Sequence, residues 1–467
     1  MSRENEVYVL ENRILKKRWE MSVTDTKIQE ESSEFCEDYK AFLNHAKTER
    51  ETVKETVSVL KKHGFREYRG TEDIKPYDRI FRVHKNKAVI AAVIGKKGCR
   101  EGARIVTAHT DSPRIDVRPD PLYEEAGMGL LKTHYYGMIK KYQWVTIPLA
   151  LHGVVAKENG DVLHISIGEK DGEPRFCISD LLPHLSKGLP EKTMKDAVTG
   201  EHLNVLAGSY GIKSGDGTVS VIWQLFDLLK KKYDITEEDF MSADLSFVPA
   251  FRADDIGLDR SMIGAYGQDD KVCLYPALMA LIGQTEPENT CVLVMADKEE
   301  VGNGSTTGMN SRFFDYFMED LAEREDMNLR DVFLNSIAVS ADVSSVYDPN
   351  YPEAFEKTSS AYINGGVILQ KYSGKEGKTD TNETNAEYLA FVRRALNETG
   401  VIWQIGELGK IDVGGGSTLS KCISKHCIDV VDLGVPLLSM HSPYEVTAKN
   451  DIYMFYKGID GFFRVKR

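Results

Sequence analysis

Apolar and polar positions divide this chain into segments of different period. Across Glu49–Lys62, Val53, Val57 and Leu60 recur at helical spacing and predict one buried stripe. Thr48 and Glu51 stand at capping-box spacing before it, and Gly64 can close its far end. The pattern then changes to strand over residues 79–83, 88–94 and 103–108. Between residues 116 and 242, Gly, Pro and turn signals separate strand-like segments at 142–147, 149–155 and 162–167, with a loop expected at 196–200. Beyond residue 243 strands and helices alternate again, with a buried helix expected at 272–282 and an amphipathic one at 311–325.

Such alternation predicts an α/β fold, a sheet with helices on both faces. The middle segment breaks the alternation, and the pattern resumes on its far side. Residues 1–115 and 243–467 are therefore read as one domain, with residues 116–242 inserted into it as a mainly β domain. A chain of 467 residues is long enough for two such cores.

Composition narrows the partners. With 72 acidic against 59 basic residues the formal net charge is -13, which disfavours a nucleic-acid surface. The seven cysteines are scattered without a Cys-x-x-Cys pair and read as reduced thiols. The amino terminus lacks the apolar core of a signal peptide. No apolar run approaches the roughly 18 residues of a membrane helix, so a cytoplasmic protein is expected.

Candidate chemistry follows the apolar runs. Residues 291–295 lead to the adjacent Glu299 and Glu300, residues 105–106 to His109 and Asp111, residues 337–339 to Asp342, and residues 437–438 to His441. Asp269 and Asp270 complete the set. In α/β folds ligands collect beyond the carboxyl ends of strands. Two carboxylates at the mouth of a buried strand are costly unless positive charge lies between them, which points to a metal site. Two divalent ions roughly 3.5–4 Å apart can share and acidify a water. His109, Asp269, Glu300, Asp342 and His441 fill five ligand roles, leaving Glu299 as a base toward that water. Asp111 is spaced to orient the His109 imidazole, or else to form an Asx turn before Pro113. His and carboxylate donors suit zinc foremost, and cobalt or manganese as well. Residues 302–304 and 414–416 are Gly-rich but lack a Lys at Walker spacing, and read as turns that let backbone approach a substrate.

The stretches Thr107-Ala108-His109-Thr110-Asp111-Ser112-Pro113, Gln268-Asp269-Asp270-Lys271, Asp297-Lys298-Glu299-Glu300-Val301-Gly302, Ser340-Ala341-Asp342 and Ser439-Met440-His441-Ser442 resemble the aspartyl aminopeptidase and vacuolar aminopeptidase I family of dinuclear zinc exopeptidases. The resemblance implies a metal-dependent aminopeptidase of the zinc exopeptidase fold, acting on peptides. It implies that His109 and Asp342 bind one ion, Glu300 and His441 the other, and that Asp269 bridges them, with Glu299 as general base. It further implies that the insert is a dimerisation domain in a homo-oligomer, a dodecamer, and that His152 reaches a neighbouring subunit's substrate. Acid-selecting members carry a Lys where this chain has Gln370, with Lys371 one position later, so the preferred N-terminal residue stays open. A dinuclear deacylase or amidohydrolase and a non-catalytic, metal-stabilised scaffold are the competing readings.

Overall fold

The helix Glu49–Lys62 starts at the expected cap: Thr48 Oγ1 accepts the Glu51 N–H at 3.4 Å, and the Glu51 carboxylate accepts the Thr48 N–H at 3.1 Å. Val53 and Leu60 are buried and Val57 packs against the same core. The computed structural model describes residue 16 and residues 18–213, 215 and 217–466. These residues form two compact units. One comprises the chain up to Asp111, Ala253–Met440 and Tyr444 onward; the other comprises Ser112–Arg252 and His441–Pro443.

The first unit is built on a nine-stranded mixed sheet. Its order is Arg66–Glu67, Arg79–His84, Ala88–Val93, Cys291–Ala296, Arg104–His109, Ile337–Ala341, Asp429–Gly434, Val367–Gln370, Trp403–Ile405. The four central strands from Cys291–Ala296 to Asp429–Gly434 run parallel to one another. Alternation along them feeds two separate cores. Val106, Leu293 and Val339 face Leu43, Leu278 and Phe455 from the helices Thr26–His45, Gln268–Ile282 and Lys449–Arg464. Ile105, Val292, Val294 and Ala338 face Phe317 and Val332 from Phe313–Arg324 and Leu329–Asn335. Both faces are covered, which is why these strands read as unbroken apolar runs. The mixed, helix-flanked sheet is the α/β architecture expected from the alternation.

In the second unit six antiparallel strands lie in the order Val162–Ile167, Leu149–Ala156, Ala243–Pro249, Arg114–Glu125, Met128–Tyr136, Val205–Gly208. The helix Val221–Tyr233 accompanies them. Two sequence expectations are corrected here. Residues 142–147 are not a strand: a 3-10 turn at Lys141–Gln143 leads into irregular backbone, and Thr146 has φ 62°. Trp144 and Val145 are nonetheless buried, so the apolar run marks burial without extended pairing. The expected loop at 196–200 instead begins inside a short helical turn, Met194–Ala197. Thr193 Oγ1 donates to Asp196 Oδ2 at 2.6 Å there.

No helix among the described residues is long and apolar enough to cross a membrane. All seven cysteines are free thiols.

Candidate metal centre

Three neighbouring parallel strands deliver acidic and imidazole side chains from their carboxyl ends. Arg104–His109 lies between Cys291–Ala296, which leads to Glu299 and Glu300, and Ile337–Ala341, which leads to Asp342. Register aligns them: Ala296 pairs with His109, and Ser340 with Thr107. Asp269 and Asp270 open the helix Gln268–Ile282, but both have non-helical backbone angles, so they belong to a turn ahead of the helical residues.

His109, Asp269, Asp270 and Asp342 each offer one ligand atom within 4.8 Å of the others. His109 Nε2 lies 3.2 Å from Asp269 Oδ1 and 3.8 Å from Asp342 Oδ1. Its Nδ1–H donates to the backbone carbonyl of Asp111 at 3.0 Å, which leaves the Nε2 lone pair facing the carboxylates. A carboxylate oxygen of Glu300 also lies within 4.8 Å of one on Asp269, so Asp269 stands in reach of both His109 and Glu300. Asp270 Oδ2 accepts the backbone N–H of His109 at 3.2 Å. Sequence reasoning grouped Asp270 with the set but gave it no ligand role. Its offset arises in an irregular turn that leaves no periodic signal.

Asp111 sits beside the His109 imidazole and also reaches the glutamate turn. Its carboxylate lies 3.4 Å from His109 Nδ1, farther than its own carbonyl. Asp111 Oδ1 also accepts the Glu299 N–H at 3.2 Å and Oδ2 the Glu300 N–H at 3.3 Å. It therefore holds the glutamate turn Glu299–Val301 against the His109 loop. Asp297 supports the same turn from its start, where Oδ2 accepts the Thr307 hydroxyl at 2.6 Å.

The electrostatics show a site short of positive charge. Burial raises the pKa of Asp342 and lifts that of Asp270 far above the usual carboxylate range, with neighbouring carboxylates adding to it. Glu299 is pushed up to about 8, first by desolvation and then by Asp342. Burial works against a charged His109, yet Asp111, Asp269, Asp342 and Asp270 outweigh it and raise its pKa well above the ordinary value. Clustered, buried carboxylates around one imidazole nitrogen are the donor chemistry of a zinc-type cation, and a dication relieves their mutual repulsion. The donor set fits such an ion.

His441 and His152 both lie in the second unit. His441 has φ 64°, and its Nδ1–H donates to the carbonyl of Met138 at 3.0 Å. His152 is buried on the strand Leu149–Ala156, with Nε2 3.0 Å from Glu169 Oε1. Gln370 ends its strand buried, its Nε2 donating to Ser344 Oγ at 3.1 Å, whereas Lys371 lies 3.7 Å from Glu383.

Residues 42–463 match the aminopeptidase I zinc metalloprotease family, M18. The chain belongs to that family. It is 42% identical over 435 residues to a probable M18 family aminopeptidase 1 of Clostridium acetobutylicum, covering 91% of this chain and 93% of the relative. An M18 aminopeptidase crystal structure from Thermotoga maritima superposes with a TM-score of 0.89 at 39% identity, covering 93% of this chain and 97% of that one. A Saccharomyces cerevisiae aminopeptidase solved as a dodecamer shares the fold at 20% identity, with a TM-score of 0.74 and coverage of 92% and 96%. The M18 chain is thus a metallo-aminopeptidase, a hydrolase acting on peptides, and the comparisons support that reading over the deacylase and scaffold alternatives.

Proposed function

We propose that this M18 enzyme removes the N-terminal residue from peptides with two divalent ions per subunit, zinc foremost, and with Glu299 as proton carrier. The observation that carries the reading is the convergence of His109, Asp269 and Asp342 within one small buried cluster, with Glu300 in reach of Asp269. His109 and Asp342 would hold one ion, Asp269 would bridge, and Glu300 would hold the second, with His441 added by family resemblance. Bound ions of this kind polarise a carbonyl and lower the pKa of water.

The protein's own groups supply the rest. Glu299 opens the Asp111-anchored turn and has no ligand role in this assignment. It accepts a proton from the attacking water and returns it to the departing amine nitrogen. Burial and the neighbouring carboxylates raise its affinity for a proton, and bound cations would lower it again, toward a group that can take and release one near neutrality. Asp111 is the positioning residue that fixes Glu299 and Glu300 relative to His109.

The second unit serves as a dimerisation domain in a homo-oligomer. The dodecameric relative supports assembly of that order, with His152 contributing to a neighbouring subunit's substrate site. A cytoplasmic location accords with the free thiols.

The test is metal analysis of the purified enzyme beside two variants. The wild type should carry two zinc ions per subunit, and His109→Ala and Glu300→Ala should each lose bound metal together with activity. One ion per subunit in the active wild type, or full occupancy in His109→Ala, would overturn the assignment.

A further inference from the structure

The second unit contains a cavity that the peptidase reaction does not use. It lies between one face of the six-stranded sheet and the helix Val221–Tyr233, and has a volume of about 370 Å³. That falls within the roughly 300–1,000 Å³ typical of small-molecule sites. Leu131 and Ile165 line its floor, and Leu225 and Leu229 line the helix side. Both helix leucines stay only partly buried although they face the sheet. Among the described residues lining it, the only charged side chains are Arg175 and Lys232, both cationic and both exposed. Arg175 uses its Nε–H toward the carbonyl of Gly168 at 3.3 Å, which leaves the rest of the guanidinium to address a further acceptor.

An apolar chamber of this size, with cations alone at its charged positions, is complementary to an apolar tail with an anionic head. A neutral apolar guest would leave the two exposed cations to water and draw no affinity from them. A cationic amphiphile would be repelled by them. Burial of aliphatic carbon against the leucines supplies affinity, at about 0.8 kcal/mol per CH₂ removed from water. A carboxylate head can meet Arg175 in the paired geometry that guanidinium favours.

We infer that the cavity beneath the helix Val221–Tyr233 binds a medium-chain aliphatic carboxylate, its chain among Leu131, Ile165, Leu225 and Leu229 and its head between Arg175 and Lys232. The site lies wholly within the second unit and stands apart from the residues assigned to peptide hydrolysis.

Calorimetric titration of the full-length, zinc-loaded protein with decanoate below its micelle concentration tests this, with decyltrimethylammonium as the matched cation. Decanoate should bind saturably, one per subunit, and at least about tenfold more tightly than the cation. Arg175→Glu, an exposed change, should weaken decanoate by about tenfold or more, and Leu229→Trp should weaken it as well by narrowing the chamber beside the aliphatic chain. Peptidase activity should be unchanged in both variants. If Leu229→Trp fails to fold, Arg175→Glu and Lys232→Glu decide. Absence of saturable heat, equal binding of the cation, or undiminished binding in the charge-reversed variants would each overturn the inference. So would a change of subunit count in Leu229→Trp without decanoate binding to the wild type, because the chamber would then seat a second copy.

Discussion

Asp111 Oδ1 accepts the backbone N–H of Glu299 at 3.2 Å, joining two loops 188 positions apart in the chain. Its other oxygen accepts the next N–H, that of Glu300, so both lone-pair faces of the carboxylate are engaged by the glutamate turn. Asp111→Asn keeps the shape but turns one acceptor into an NH₂ group that faces a backbone N–H. The turn should loosen, and activity should fall by about 10- to 100-fold, with a matching loss of metal affinity. Steady-state kinetics with metal analysis would check this. Wild-type activity in Asp111→Asn would mean that the turn holds its place without that carboxylate.

Glu299→Gln removes the proton carrier and preserves the shape of the turn. A loss of about 10² to 10⁴ in kcat is expected, with zinc content and KM little changed. The informative readout is the metal content of the inactive protein. Loss of an ion in step with activity would place Glu299 among the ligands.

Chelation should remove activity and stability together, because the ions bind the folded chain and not the unfolded one. At free zinc 100 times the dissociation constant each site adds about 2.7 kcal/mol, so stripping the metal should lower the unfolding midpoint measurably. Zinc added back should restore both properties. A midpoint indifferent to chelator would contradict a buried metal cluster.

A pH effect is expected from Asp451, in the first turn of the helix Lys449–Arg464. Its oxygens accept the N–H groups of Gly366 at 2.7 Å and Asn364 at 2.8 Å, yet burial outweighs these bonds and raises its pKa to about 8. The folded state then binds a proton that the unfolded state releases near pH 4, so this group's contribution to stability falls as pH rises from about 4 to about 8. Urea midpoints of the zinc-loaded protein at pH 5 and pH 8 should show that loss, and Asp451→Asn should show less of it. Identical pH dependence in the two proteins would remove Asp451 as the cause.

Local chemistry was the legible part of this molecule. The capping pair Thr48 and Glu51 located a helix start, and the apolar runs before His109, Glu299 and Asp342 located three strand ends, because each signal lies within a few residues of its effect. The strand order was hidden: Cys291–Ala296 inserts between Ala88–Val93 and Arg104–His109 through pairings that no local window contains. Trp144 misled for a related reason, since burial in an irregular turn and burial in a strand leave the same apolar trace. The partnership of Asp111 with the Glu299 and Glu300 backbones was equally invisible. It depends on two loops meeting, and only Asp111 contributes a side chain.

The pairing of Ala296 with His109 links assembly of the sheet to competence of the enzyme. Successive side chains along a strand point to opposite faces, so a slip of one residue would send the imidazole away from the acids while most of the ladder could still form. A chain that reaches this alternative pairing would be compact, folded in outline and unable to gather its cation. Capacity for zinc is therefore a report on whether the central strands have found their correct alignment.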